Sequence, residues 1–214
     1  IVCGGSVNSP QLLQLSGIGP ASLLREKGIE VVHNSKAVGR NLQDHIAIDN
    51  IYRSRVPTLN DELRPLLGKL RHGMNYVLRR RGPLSLGVNQ GGGFFRSNDQ
   101  IDRPNMQLYF SPVSYTKSPP GKRPLMSPDK FSGFLLGIQP TRPTSRGYLE
   151  IKSTDPNEAP AIHPNYLSNN HDMGEMIEGA RFMRKLAASP ALAEIIEEDI
   201  LPGKDVQIDE EIDD

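Results

Sequence analysis

The sequence predicts an α+β chain, in which a short α/β segment leads into an antiparallel sheet with helices on one face. Three observations predict it. The first 45 residues read as strand, tight turn and short helices punctuated by glycine. From Gly91 onward, short apolar or alternating runs are parted by Pro, Gly, Ser and Asn, as short strands are. Between and after these, Pro57–Pro83 and His171–Ala188 repeat apolar residues at helical spacing.

The elements follow in order. Ile1–Cys3 reads as a strand end running into Gly4-Gly5-Ser6. Ser9 suits a helix N-cap and Pro10 a first helical position, with Leu12, Leu13 and Leu15 as the apolar face and Gly17 and Gly19 as stops. A second helix is predicted over Ala21–Lys27, stopped by Gly28, then a strand over Ile29–His33 and a loop over Gly39–His45. Ile46–Arg53 reads as a strand. Leu63, Leu66, Leu67, Leu70, Met74, Val77 and Leu78 fall on one face at helical spacing. Pro65 belongs in a first turn, because a mid-helix proline costs about 3 kcal/mol. Strands are predicted over Gly92–Arg96, Met106–Pro112, Phe131–Pro140 and Gly147–Lys152. Ser114–Lys130 reads as an exposed loop, Thr144–Gly147 as a hairpin turn, and Asp155–Asn165, with three prolines, as an extended connection. In the last helix Met173, Met176, Ile177, Ala180, Met183 and Leu186 form the core stripe. Asp209 suits an N-cap, with Glu210 and Glu211 in a first turn. Both ends are therefore expected to fall inside structural elements.

Composition narrows the function. Twenty-five basic and 25 acidic residues balance, which argues against nucleic-acid binding. No apolar run approaches the roughly 18 residues of a membrane span. The single Cys3 forms no internal disulfide, and a reducing, cytoplasmic setting is the simpler expectation. Five scattered histidines give no metal spacing, and GxSxG is absent. Arg79-Arg80-Arg81, before Gly82-Pro83, suits the negative end of a helix dipole.

The most informative stretch runs from Gly5 to Gly19 (GSVNSPQLLQLSGIG). Small residues at a strand-to-helix turn let a backbone approach a cofactor closely, and a helix start offers free amides. An ordinary strand–helix turn has the same local chemistry. It is not a P-loop, since no Gly-Lys-Ser/Thr follows.

This stretch resembles the second signature of the glucose–methanol–choline oxidoreductase family along its whole length. Val38–His45 (VGRNLQDH) resembles that family's VGxNLQDH segment. Gly91–Ser97, Arg103–Gln107, Pro143–Gly147 and Leu149–Ser153 are similar to later landmarks, in an order that suits the choline-dehydrogenase-like branch. The resemblance implies FAD as cofactor and oxidation of a primary alcohol, choline-like or other, to an aldehyde by hydride transfer to the flavin. It implies a small-molecule alcohol as substrate, an unidentified electron acceptor and, through that acceptor, a possible membrane association. It divides the chain into residues 1–45, the end of the FAD-binding domain, 46–200, the substrate-binding domain, and 201–214, a return towards the first. The GxGxxG fingerprint and the catalytic histidine are expected outside the chain, the histidine beyond Asp214, so no catalytic residue is assigned. Gly4, Gly5, Asn8, Asn41 and Asp44 are the implied cofactor contacts; Asn41, Asp44 and His45 are equally readable as a loop held by its own hydrogen bonds. Asn89, Gln90 and Tyr109 are the implied substrate contacts. Choline-oxidising relatives tend to have His where this chain has Tyr109, which puts choline itself in question. Tyr109 is also readable as a core aromatic with a bonded hydroxyl. An oxidase, a hydroxynitrile lyase and a non-catalytic binding or structural fragment are the alternatives.

Overall fold

The computed structural model describes residues 1–116 and 128–203. The helix start expected at Asp209 lies outside the described residues, as does most of the loop expected over Ser114–Lys130. In chain order the elements are α1 (Gly5–Leu15), β1 (Ile18–Gly19), α2 (Ala21–Glu26), β2 (His33–Asn34), β3 (Arg40–Leu42), β4 (Ile48–Ser54), α3 (Leu59–Leu63) and α4 (Leu66–Arg79). A 3-10 turn (Pro83–Ser85) precedes β5 (Gly91–Phe95), β6 (Met106–Ser111), β7 (Gly133–Pro140), β8 (Gly147–Glu150) and β9 (Ala161–His163). The last are α5 (Asn170–Ala187), α6 (Pro190–Ile195) and β10 (Ile196–Leu201). The predicted strands from β4 to β8 fall within two residues of their observed bounds.

The chain divides into two compact units. The first joins Ile1–His45 with Pro143–Met173; the second joins Ile46–Arg142 with the chain from Gly174 on. Residues 143–173, expected in the second domain, pack in the first unit because β8 pairs with β3 and β9 there.

In the first unit the helix starts at Gly5, not Ser9, and Pro10 lies inside it. Gly5, at φ +74°, turns the chain into the helix a full turn early. Ile1–Cys3 is not a strand: no described strand pairs with it, and all three residues are exposed. The buried residue of α1 is Gln14, not the leucines beside it. Its amide donates to the Leu149 carbonyl (3.1 Å), and its oxygen accepts from the Ile151 amide (2.9 Å). A buried polar side chain so bonded costs little and fixes where α1 sits on β8. Of the strand expected over Ile29–His33, only His33 pairs, in the two-residue parallel ladder of β1 and β2. The loop expected over Gly39–His45 contains β3, whose Arg40 faces Tyr148 across the ladder and pairs with Glu150 at 2.5 Å.

Thr144–Gly147 is not a hairpin turn, because β7 and β8 belong to different sheets. The segment is held instead by Asp172, 1% exposed in the first turn of α5. Its carboxylate accepts from the Thr144 amide (2.8 Å), the Thr144 hydroxyl (2.8 Å), the Ser145 amide (2.7 Å) and the Asn169 side chain (3.2 Å). Burial pushes this carboxyl's pKa up, but the hydrogen bonds from Ser145 and Thr144 outweigh it and hold the group well below the usual range.

The second unit is an antiparallel five-stranded sheet in the order β10-β4-β7-β6-β5. Helix α5 packs on one face with Met176, Ala180 and Met183 buried, as the sequence stripe predicts. A side chain at Gly179 would collide with Ile138 and Met106, so the glycine brings helix and sheet close together. Phe182 stacks on Phe95 with ring centres 3.9 Å apart.

The apolar face of α4 is not core. Leu63 is buried, but Leu66, Leu67, Leu70, Met74, Val77 and Leu78 are 55–80% exposed. Helix α4 docks through its opposite side. Gly68 meets the Glu62 carbonyl too closely for any side chain, and His72 Nε2 lies 2.9 Å from Glu62 Oε2.

Candidate functional site

One row of residues crosses four strands of the second unit. Asp49 on β4 is paired with Gly137 on β7, which is paired with Tyr109 on β6, which faces Gly92 on β5. Paired residues of an antiparallel sheet share a face. Because Gly137 has no side chain, the Tyr109 ring lies across it, and its hydroxyl donates to Asp49 Oδ1 at 2.9 Å. Any Cβ at Gly137 would strike both the ring and the carboxylate.

Asp49, Tyr109 and Gly92 of this row line a groove of about 810 Å³, with Gly137 beneath the Tyr109 ring. Its walls include Asn89, Gln90, Tyr115 and the glycines of β5. The side chains of Gln107 and Gln139, also lining, bond to each other at 2.9 Å. All three residues expected to contact substrate, Asn89, Gln90 and Tyr109, therefore line one groove. Among the described residues the lining holds one carboxylate and no lysine or arginine, so it suits a neutral or cationic ligand over an anion.

Asp49 is the charged lining residue that sequence reasoning missed, and Gln107, Tyr115 and Gln139 are also lining residues it did not assign to the site. Desolvation by burial raises its pKa, against the lowering effect of the Tyr109 hydrogen bond. Burial, then the nearby Asp49 charge, pushes the Tyr109 phenol well above its ordinary value, so it stays protonated and donates. The Tyr115 phenol is raised by burial and by Asp49.

The sign of a pH effect follows. Ionising Asp49 costs more in the folded than in the unfolded chain, so the charge removes stability as pH rises past 3.8. Asp49→Asn keeps an acceptor for Tyr109 without the charge. The variant is expected to melt a few degrees higher than the parent at pH 7. The gap should close towards pH 3, and melting curves across that range check it.

The expected cofactor residues lie in the first unit. Gly4 is the N-cap of α1 and Gly5 its first residue, where a Cβ would meet nothing within 4 Å. Asn8 is exposed one turn on, its Cβ 3.1 Å from where a Gly4 side chain would begin. Asn41, at φ +58°, lines a groove of about 370 Å³ with Ser6, Pro10 and Gln43. Gly4, Gly5, Asn8 and Asp44 are not part of that lining. Asp44 accepts from the Tyr166 hydroxyl (2.5 Å) and the His45 amide (2.9 Å), and these bonds, Tyr166 first, lower its pKa. Among the described residues no His, Cys, Asp and Glu group could hold a metal. None of their helices is long and apolar enough to cross a membrane.

The exposed Asn41 amide, the Ser6 hydroxyl and the open backbone at Gly5 fit the polar oxygens of one edge of a flavin nucleotide. Comparison with known proteins bears on that reading. Two family models, both described as GMC oxidoreductase, match residues 1–47 and 143–214. The chain is 37% identical over 219 residues to an oxygen-dependent choline dehydrogenase of Staphylococcus xylosus, covering 99% of this chain and 37% of that one. It is 36% identical over 213 residues to an oxygen-dependent choline dehydrogenase of Stenotrophomonas maltophilia, covering 100% of this chain and 37% of the relative. The chain thus spans little more than a third of the length of these relatives. Among solved structures it is similar to pyridoxine 4-oxidase from Mesorbium loti (TM-score 0.75, 25% identity, 99% of this chain and 36% of that one). The fold is also that of formate oxidase from Aspergillus oryzae (TM-score 0.82, 24% identity, 97% of this chain and 40% of that one). With both family models matched and the fold shared, the chain belongs to the GMC oxidoreductase family.

Proposed function

We propose that this chain supplies the substrate wall and one flavin-contacting edge of an FAD-dependent oxidoreductase that oxidises a primary alcohol to an aldehyde. The observation that carries the reading is the groove lined by Asp49, Tyr109, Asn89 and Gln90, on the sheet face opposite α5.

When bound, FAD would supply the hydride acceptor. Asn41 and Ser6, with the α1 backbone at Gly4 and Gly5, would hold its polar edge, and Asn8 stands beside them. Asn89 and Gln90 would orient the alcohol through their amides. Tyr109, locked on Asp49, presents a fixed aromatic wall and a hydroxyl that keeps its proton. The resemblance assigns the proton-accepting base to a histidine beyond Asp214. The groove residues therefore orient and enclose the substrate, and deprotonation falls to that histidine. A lining with one acid and no base accepts a neutral alcohol or a cationic, choline-like one. The names of the bacterial relatives and of pyridoxine 4-oxidase favour oxygen as the final electron acceptor.

The test is anaerobic mixing of alcohols with the flavin-loaded protein, extended to the length of its relatives. Bleaching of the visible flavin band by a primary alcohol, with the matching aldehyde as product, is expected. A flavin that no alcohol bleaches, or cleavage of a cyanohydrin without flavin reduction, overturns the reading.

A further inference from the structure

Helix α4 presents an apolar strip to solvent. Viewed down a helix of 3.6 residues per turn, Leu66, Leu67, Leu70, Met74, Val77 and Leu78 span roughly a third of the circumference. Each is more than half exposed. From Leu66 to Arg81 the sequence has no Asp or Glu and carries Lys69, Arg71 and Arg79-Arg80-Arg81. By the same spacing Arg71 borders the strip on one side and Lys69 on the other. The three arginines lie at its C-terminal end, all exposed, with Arg80 stacked on the Tyr76 ring at 5.1 Å. The inward side of the helix is already engaged by Glu62 through Gly68 and His72, so the outward side is not an alternative docking of α4 on its own unit.

We infer that the outward face of α4 docks on an anionic phospholipid surface. An apolar strip edged by long cationic side chains is the arrangement that lies in a membrane interface: the leucines enter the acyl boundary while Lys and Arg reach the phosphates. Charge decides among occupants. A second copy seated on the same face would oppose the arginine clusters in a parallel pairing and, in an antiparallel one, would leave them facing a stretch without Asp or Glu. A neutral apolar protein groove would leave the arginine cluster unmatched. An anionic bilayer satisfies the strip and the charges together. The inference is independent of the groove chemistry.

The test is co-sedimentation of the chain with extruded vesicles. One set is phosphatidylcholine with roughly a third phosphatidylglycerol; the other is phosphatidylcholine alone. Binding to the anionic vesicles is expected to exceed binding to the neutral ones at least about tenfold, and to fall as salt is raised. Arg79→Gln with Arg80→Gln and Arg81→Gln should weaken it by at least about tenfold. Leu70→Ser with Val77→Ser, at two exposed positions, should abolish it. No binding, equal binding to both vesicle types, or unchanged binding by both variants overturns the inference. A discrete dimer in sedimentation velocity that Leu70→Ser dissolves overturns it in favour of a second copy. So does a chain extended to the length of its relatives that no longer binds, since further residues then cover the face.

Discussion

Asp172→Ala is expected to destabilise the protein by about 3 kcal/mol or more. The carboxylate is 1% exposed and accepts four hydrogen bonds, two of them from the backbone amides of Thr144 and Ser145. Truncation leaves those buried donors without an acceptor, and an unsatisfied buried donor costs more than the net worth of its bond. Because the folded pKa is depressed, the stability the carboxylate contributes is complete above the ordinary value of 3.8 and is lost as pH falls below it. Urea unfolding of parent and variant at pH 7 should show the full gap, and the gap should narrow at pH 3. Asp172→Asn should recover only part of the loss, because its NH₂ must face one set of donors. A variant within about 0.5 kcal/mol of the parent would remove Asp172 from this structural role.

Gly137→Ala should cost about 2 kcal/mol and open the floor of the groove. The added methyl group falls on the Tyr109 ring and on the Asp49 carboxylate at once, and neither can move aside without breaking the hydrogen bond between them. The control is the double variant. With Tyr109→Ala in place, the ring is gone and the same substitution should cost under about 1 kcal/mol. Equal costs in both backgrounds would mean that the Tyr109 ring does not depend on Gly137.

These two sites also show what the sequence carries and what it does not. The antiparallel sheet was legible from alternation and breakers, and the α5 stripe of Met176, Ala180 and Met183 from helical spacing. Asn89, Gln90 and Tyr109, which line one groove, are named by resemblance to a family pattern. Asp49 is not, because it sits in a strand of mixed polarity and its partner is two strands away, across a glycine. Register is a tertiary property, and no local signal announces it. Asp172 had the same difficulty. An acid in a first helical turn reads as dipole complementation, and its amide partners lie 27 and 28 residues upstream.

The α4 face shows another limit of sequence pattern. Its periodicity was read correctly as one apolar face, but periodicity records amphipathicity and not what covers the face. Gly68 and His72, on the opposite side, decide how the helix docks. At Ser9-Pro10 the local helix-start signal lost to an earlier turn at Gly5, and at Thr144–Gly147 the turn residues served a carboxylate instead of a hairpin.

The central claim is that the Asn89, Gln90 and Tyr109 groove meets the alcohol. The most direct test is the concentration dependence of flavin reduction by alcohol in the chain extended to its relatives' length, comparing parent, Gln90→Ala and Tyr109→Phe. Losing one orienting hydrogen bond should lower the reduction efficiency by roughly tenfold. In Gln90→Ala the fall should come through weaker substrate binding, with flavin content unchanged. In Tyr109→Phe it should come through the limiting rate, as the ring loses its anchor on Asp49. Reduction kinetics identical to the parent in both variants, at full flavin loading, would contradict the account.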